Sequence, residues 1–479
     1  MNESMCPEEG TSGHEGLSIE ALYGIFKAHP VITTDTRKCT PGSLFFALKG
    51  ERFNGNRFAL QALESGCAYA VVDEEIGASE NPQFRTDNSK PDITQRILRV
   101  DNVLTTLQAL AHYHRMQFSG PVIQITGTNG KTTTKELVAS VLSSKWNVTF
   151  TQGNLNNHIG VPLTLLSLPF DCQTSPQPIA VVETGANHPG EIAALSRIVS
   201  PDCGLITNVG RAHLEGFGSF EGVVATKTEL YANLRQKEQG FIFLHADNPH
   251  LAPKAEGLKR ITYGQPGHGY DAEGEVEECN PFVKMRWRTA GEDWHTVQTQ
   301  LIGAYNIDNL LAAVAVGLHF GVSPEQIDCA LAQYTPRLGR SELKHTASNT
   351  LIVDAYNANL TSMQAALENF RQIPHPHKMA ILGEMRELGA ASADAHLQIL
   401  QQALCLDLEK LWVVGKEFSQ ASLPAIQPNL PEAGRTDGLR FFTDVEEVKA
   451  ALAAVPVADR LILIKGSNGT HLYELPDLL

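Results

Sequence analysis

No stretch of the 479-residue chain approaches the ~18 consecutive apolar residues that a membrane-spanning helix needs, which argues against insertion into a bilayer. Residues 1–16 are polar and acidic and lack a signal-peptide core, so a cytoplasmic protein is expected. The eight cysteines are scattered, with neither a CxxC pair nor regular spacing. In a chain long enough to bury its own core, that pattern predicts reduced, packed thiols instead of a disulfide frame or a zinc site. A lysine- and arginine-rich stripe is also missing, and the formal net charge is −15. Nucleic-acid backbones demand clustered positive charge, so no nucleic-acid partner is expected; a mononucleotide needs only positive groups local to its site. Internal repeats are absent as well.

What is present is an ordinary globular composition, 42% hydrophobic and 19% charged, in a length that calls for two to four domains. Residues 18–117 mix a helical stretch at 57–65 with short strands at 43–48 and 69–72, a small α/β module. Residues 118–338 open with a strand at 122–126, a glycine-bearing turn and a helix over about 132–144. Leu137, Val138, Val141 and Leu142 form one apolar stripe on that helix. Strands at 179–182, 204–207 and 241–244 alternate with helices, as in a parallel, doubly wound sheet. Residues 283–302 read as antiparallel strands about a turn at Gly291, followed by a helix over 306–320. Ser323-Pro324-Glu325-Gln326 then has the form of a capped helix start. Residues 339–479 alternate strands at 351–354, 379–382, 411–414 and 461–464 with helices, a second doubly wound unit, and the proline-bearing run 423–434 reads as a loop.

The strongest local signal is Gly127-Thr128-Asn129-Gly130-Lys131-Thr132, between an apolar strand and an amphipathic helix. Glycines let backbone N–H groups turn inward around phosphate oxygens, the helix N-terminus adds partial positive charge, and Lys131 supplies a full one. The Thr132 hydroxyl is a candidate magnesium ligand. Ile125 stands where a standard phosphate loop has its first glycine, so this is the shorter GxxGKT form. The bland alternative is a turn that merely joins strand to helix; the conjunction of strand, loop, lysine, threonine and helix favours the phosphate site. Glu183 ends the strand at 179–182, where ligands bind in such sheets. His213 follows the strand at 204–207 through Asn208-Val209-Gly210. Magnesium prefers oxygen ligands, so on chemistry alone His213 is as well explained as a structural or general-base histidine.

Together with the GTNGKT loop, two segments resemble the Mur ligase family: Glu183-Thr184-Gly185-Ala186-Asn187-His188-Pro189-Gly190-Glu191-Ile192 and Ala212-His213-Leu214-Glu215-Gly216-Phe217-Gly218. The resemblance runs from Asp35 to Gly469, with the motifs in the family's order. It implies an α/β fold of three domains. These are an N-terminal domain that binds a UDP-linked precursor (18–117), a central P-loop ATPase-like domain (118–338) and a Rossmann-like C-terminal domain that helps close the site (339–479). Three stretches are similar to the members that add D-alanyl-D-alanine to UDP-N-acetylmuramoyl-tripeptide. They are Gly153-Asn154-Leu155-Asn156-Asn157 followed by Ile159-Gly160-Val161-Pro162, the ETGANHPGEI segment with Thr184 in place of methionine, and Asp354-Ala355-Tyr356-Asn357-Ala358-Asn359. The resemblance therefore implies ATP and Mg2+ as cofactors, those two molecules as substrates, a monomer, and a place in peptidoglycan synthesis. Related ligases that add a third amino acid, or glutamate to folate, share the GTNGKT loop, and the first and third of these stretches argue against them. An ATP-hydrolysing regulator is the rival of another class.

By resemblance, Gly127, Thr128, Asn129, Gly130, Lys131, Thr132 and Thr133 contact the ATP phosphates. Thr132, Glu183, His213 and a carbamylated Lys227 form the metal shell, and Lys131, Glu183, His213 and Lys227 carry the catalysis. A carbamate would turn the Lys227 cation into a carboxylate-like oxygen donor that suits magnesium; spacing alone favours a solvated helix lysine. Asn306 and Asn309, three apart on one helix, face the nucleotide in the family, and the alternative is a pair of amides bonded to a neighbouring loop. Arg340, in Gly339-Arg340-Ser341-Glu342, matches a hinge whose guanidinium grips phosphate as domains close. Asp354 would bond the ribose and Tyr356 stack near the base. Asn154, Asn156, Asn157, Tyr356, Asn357 and Asn359 are candidates for the substrates, and Asp35-Thr36-Arg37 would hold the uridine part. Two segments depart from the family's pattern: Asn54-Gly55-Asn56 replaces DGH, and Asn468 follows Lys465-Gly466-Ser467 where an arginine is usual. His188 and His396 fit packed, satisfied histidines equally well.

Overall fold

Runs that are apolar at nearly every position, such as Val122–Thr126 and Pro178–Glu183, are buried on both faces, as a parallel sheet covered by helices on each side demands. The computed structural model describes residues 17–76, 93–336, 339–418 and 438–479, so the loop expected at 423–434 lies outside the described residues. The chain packs as two units, one running to Ser119 and including His158–Phe170, the other formed by Gly120–Asn157 and Asp171–Leu479.

The first unit holds a parallel sheet of four short strands in the order β1 (Ile32–Thr33), β2 (Leu44–Phe46), β3 (Tyr69–Val72) and β4 (Ile97–Arg99). The segment His158–Phe170, expected in the central domain, packs here instead. Its helix Gly160–Leu165 lies against the helix Val103–Gln117, His114 Nε2 donates to the Leu168 carbonyl at 2.9 Å, and the Phe170 ring sits 5.3 Å from that of Phe26. Burial of these apolar groups outweighs the continuity of the chain with its neighbours.

The second unit contains two large sheets. The central one has β5 (Val122–Thr126), β6 (Asn147–Phe150), β7 (Pro178–Glu183), β8 (Cys203–Ile206), β9 (Phe241–His245), β10 (Lys259–Gly264), β11 (Ala272–Cys279), β12 (Phe282–Arg288) and β13 (His295–Ile302). Their spatial order is β13-β12-β11-β10-β9-β8-β5-β7-β6, parallel from β6 to β11 and antiparallel thereafter. The turn between β12 and β13 contains Gly291 at φ +85°, and Ser323 and Gln326 form the expected capping box. Leu137, Val138, Val141 and Leu142 are all fully buried, and their helix, Lys131–Leu142, packs on the helix Ile307–His319.

The C-terminal sheet consists of β14 (Glu342–His345), β15 (Asn349–Asp354), β16 (Lys378–Gly383), β17 (Lys410–Val414), β18 (Leu439–Phe442) and β19 (Arg460–Lys465). Its order is β14-β15-β19-β16-β17-β18, with only β14 antiparallel. Because β19 is inserted between β15 and β16, the segments that follow these three strands share one crevice at the carboxyl edge, the usual place for a ligand in such sheets.

Candidate functional site

The phosphate loop leaves β5 at the middle of the central sheet. Gly127 (φ +146°) and Gly130 (φ +76°) take backbone angles that L side chains rarely adopt, and a side chain would strike Thr207 at the first and Asn309 at the second. The segment after β8 fixes the loop from one side. Thr128 N–H donates to Asn208 O at 2.9 Å, Asn129 N–H to Asn208 Oδ1 at 3.0 Å, and the Thr207 hydroxyl to Asn129 O at 2.6 Å. From the C-terminal sheet, Asn359 Nδ2 donates to Asn129 Oδ1 at 2.7 Å.

Lys131 is half-buried and its Nζ donates to the carbonyls of Gly127 (2.8 Å) and Thr128 (2.9 Å). Burial lowers its affinity for a proton, Glu183 opposes that shift and the charge of Arg340 adds to it. Thr132 and Glu183 come together as expected. The Thr132 hydroxyl donates to Glu183 Oε1 at 3.1 Å, and Asn156 Nδ2 donates to the same oxygen at 2.8 Å. Glu183 Oε2 is buried with no hydrogen-bond partner. An orphaned carboxylate oxygen beside a hydroxyl is costly in a closed interior and suits a hard cation, which takes oxygen ligands.

His213 adopts a left-handed backbone (φ +51°), and its Nδ1 pairs with the carboxylate of Glu387, which follows β16. Burial pushes its pKa down, Glu387 opposes this, and the charges of Lys131 and Lys227 push further down. Lys227 is 2% exposed. Its Nζ donates to Ala186 O at 3.3 Å and lies 5.3 Å from the centre of the Phe217 ring. Burial, with the charge of Lys131, lowers its pKa to about 7, so a large fraction of its amine is uncharged near neutrality, the form that reacts with carbon dioxide. Among the described residues, no group of three or more His, Cys, Asp and Glu side chains is disposed to hold a metal ion. The fit to magnesium therefore rests on Thr132, Glu183 and a carbamate at Lys227, with His213 nearby.

Other expected residues lie where local bonding defines them. Asn309 Oδ1 accepts the Thr134 hydroxyl at 2.9 Å, Asn309 Nδ2 donates to Asn306 Oδ1 at 2.8 Å, and Asn306 Nδ2 donates to Ile302 O at 2.9 Å. This buried chain backs the phosphate loop. The Arg340 guanidinium stacks 3.7 Å above the Tyr356 ring. Asp354 is ion-paired with Lys465 at 2.6 Å, and Lys465 is 2% exposed. Asn357 accepts from Ala358 N–H, while Asn359 also caps the helix Leu360–Gln372. Asn154 and Asn157 are exposed, and Asn154 joins Arg340, Tyr356, Lys344, Asn468 and Tyr473 around a cavity of about 480 Å³. Thr133 is half-buried one residue beyond Thr132.

In the first unit, Asp35 receives Arg37 Nε at 2.9 Å, Arg37 Nη2 at 2.8 Å and Arg37 N–H at 3.0 Å, and these bonds hold its carboxyl at about 2. Thr36 begins the short helix that Asp35 caps. Asn54 and Asn56 donate to Glu74 and Asp73, both at 2.8 Å. His396 is fully buried and hydrogen-bonded, whereas His188 is exposed beside Glu191.

Sequence reasoning missed Glu387 and Lys135, and named Lys465 only within the Lys465-Gly466-Ser467 segment, without a role. Lys135 is fully buried one turn beyond Lys131 and donates to Thr151 O at 2.7 Å; Thr151 in turn accepts Glu183 N–H through its hydroxyl at 3.0 Å. The available signal was a lysine on the apolar stripe of the loop's helix.

The Mur ligase middle domain matches residues 125–317, the Mur ligase glutamate ligase domain residues 339–468, and the Mur ligase family catalytic domain residues 30–115. The UDP-N-acetylmuramoyl-tripeptide–D-alanyl-D-alanine ligase of Bacillus subtilis is 33% identical over 93% of this chain and 92% of its own. The ligase of the same name from Escherichia coli is 35% identical over 81% of each. A crystal structure of MurF from Acinetobacter baumannii superposes with a TM-score of 0.78 at 31% identity, covering 95% of this chain and 97% of that one. The chain belongs to the Mur ligase family.

Proposed function

We propose that the protein joins D-alanyl-D-alanine to UDP-N-acetylmuramoyl-tripeptide at the expense of ATP, forming the UDP-pentapeptide precursor of peptidoglycan. The observation that carries this reading is the buried, orphaned Glu183 Oε2 beside the Thr132 hydroxyl and Lys131 in a phosphate loop. Relatives bearing the name of this reaction match four-fifths or more of the chain.

An amine cannot displace oxide directly from a carboxylate, because oxide is too poor a leaving group. The γ-phosphoryl group of ATP is therefore transferred to the terminal carboxylate of the tripeptide, and the dipeptide amine attacks the acyl phosphate and expels phosphate. Two anions meet in the first step. Lys131 and the N–H groups of the loop stabilise the charge that builds on the phosphoryl oxygens. Mg2+, held by Thr132, Glu183 and a carbamylated Lys227 with His213 alongside, would supply Lewis-acid charge when bound. Asn359 bonds Asn129 of the loop and the charge of Arg340 reaches Lys131, which link the C-terminal sheet to this centre, so closure there would exclude the water that hydrolyses acyl phosphates.

In this reading residues 18–117 bind the UDP portion through Asp35, Thr36 and Arg37, residues 118–338 bind ATP, and residues 339–479 bring the dipeptide. Among the described residues no helix is long and apolar enough to cross a membrane, in keeping with a cytoplasmic enzyme. The test is ATP-dependent phosphate release with the UDP-tripeptide, with and without the dipeptide, in magnesium and after chelation. Release that needs both substrates and the metal, with a UDP-pentapeptide product by mass, is expected. Equal release with neither substrate would replace the ligase by a nucleotide-hydrolysing regulator.

A further inference from the structure

The dipeptide is a zwitterion. Its amine must be uncharged to attack, but its carboxylate remains an anion that needs a cation in the crevice. Most cations at the carboxyl edge of the C-terminal sheet are already engaged. Lys465 is ion-paired with Asp354, and Arg340, stacked on Tyr356 with its Nε unpartnered, is the cation assigned above to the ATP phosphates. Arg386 differs: its side chain is 54% exposed, and its ion pair with Glu384 is loose at 3.6 Å.

Arg386 is nonetheless held in place. It lies in the segment after β16, beside the inserted strand β19. Its Nη2 donates to Gly469 O at 2.8 Å, and a side chain at Gly469 would collide with the guanidinium, so the cation rests over that glycine. Each neighbouring residue is anchored too. Met385 N–H donates to the buried His396 Nε2 at 2.9 Å, and the Glu387 carboxylate pairs with His213. His213 in turn lies within the electrostatic reach of Lys131 and Lys227. Arg386 is thus one residue away from the carboxylate that pairs with His213, a histidine in the field of Lys131 and Lys227. A guanidinium carries five N–H donors in a planar fork that matches a carboxylate with two parallel bonds, and one bond to Gly469 leaves enough for that.

We propose that Arg386 binds the carboxylate of the incoming dipeptide and thereby fixes its amine for attack, an assignment that rests on the ligase reading above. The experiment compares kcat/KM for D-alanyl-D-alanine and for its C-terminal amide in the wild-type protein, Arg386→Ala, Arg386→Lys and Lys416→Ala. Lys416 is an exposed cation at the end of the next strand and serves as the control. The wild type should prefer the acid by about 10- to 150-fold, the range of hydrogen bonds to charged groups. Arg386→Ala should lose that preference, with KM for ATP and for the UDP-tripeptide unchanged. Arg386→Lys should retain part of the preference and Lys416→Ala all of it. Retention of the wild-type acid preference in Arg386→Ala, or its collapse in Lys416→Ala, would overturn the assignment. A wild-type protein that forms no product with either acid or amide would bring down the ligase reading itself, and this assignment with it.

Discussion

Replacing Lys227 by methionine should make the protein more stable and much less active. Lys227 is 2% exposed, and burial together with the charge of Lys131 brings its pKa from 10.5 to about 7. Between those two values the unfolded chain holds a proton that the folded protein does not, so stability rises with pH across that window. Below about pH 7 both states are protonated, and the full cost of burying the ammonium stands. At about 1.4 kcal/mol per tenfold change in proton affinity, that cost is at most about 5 kcal/mol, and local relaxation should leave about 2–3 kcal/mol. Methionine keeps the length of the side chain and the contact with Phe217 without the charge. All four tryptophans lie in the second unit, so urea denaturation followed by tryptophan fluorescence reads that unit alone. In bicarbonate-free buffer at pH 6, Lys227→Met should be the more stable protein by about 2–3 kcal/mol, and at pH 10 the gap should fall below about 1 kcal/mol. Ligase turnover should drop at least about 100-fold at either pH. A variant no more stable than wild type at pH 6, or a gap that does not change with pH, would refute the reasoning.

Lys131→Ala should leave the fold intact and lower turnover by about 1,000-fold or more, because the charge that faces the transferring phosphoryl group is lost; normal phosphate release in a folded variant would remove the loop from the mechanism. Glu273→Gln tests a purely structural carboxylate. Burial alone would raise its pKa, but the N–H groups of Gly269, Gly267 and His268, with Arg288, hold it at about 2, well below the ordinary 4.5. That stabilisation is complete above about pH 4.5 and is lost as pH falls toward 2, so the amide should cost about 2–3 kcal/mol at pH 7 and flatten the acid limb of the stability curve. An unaltered acid limb, read by the same fluorescence, would show that Glu273 is not the group responsible.

The phosphate loop was legible because everything that defines it is local: an apolar strand, two glycines, a lysine and a helix stripe within about two dozen residues. β5 begins and ends where the sequence places it. The β12–β13 pair was legible for the same kind of reason, since alternate residues of Phe282–Arg288 are buried. β11 was not. Its sequence, AEGEVEEC, carries too many glutamates to read as a strand, and cross-strand pairs such as Glu275 with Arg286 and Glu273 with Arg288 impose that state from outside. The site divides along the same line. Thr132 and Glu183 could be paired from strand ends, but the contact of His213 with Glu387 joins residues 174 apart and has no local signature. For Asn306 and Asn309, the bonding to each other and to Thr134 was among the alternatives the sequence left open, and only the packing of the helix behind the loop shows it in place.

The electrostatics of the centre carry the argument one step further. Lys131 and Lys135 are each disfavoured as cations by burial and by Arg340, Lys227 by burial and by Lys131, and His213 by burial and by both Lys131 and Lys227. Within a chain of net charge −15, these like charges face one another at the centre, with Glu183 beside Lys131 and Lys135, and repulsion among them disfavours the charged forms. A polyanion entering the loop would reverse the sign of that interaction for every one of them at once. Nucleotide binding should therefore be coupled to proton uptake at neutral pH, with Lys227 contributing most of it while its amine is not carbamylated.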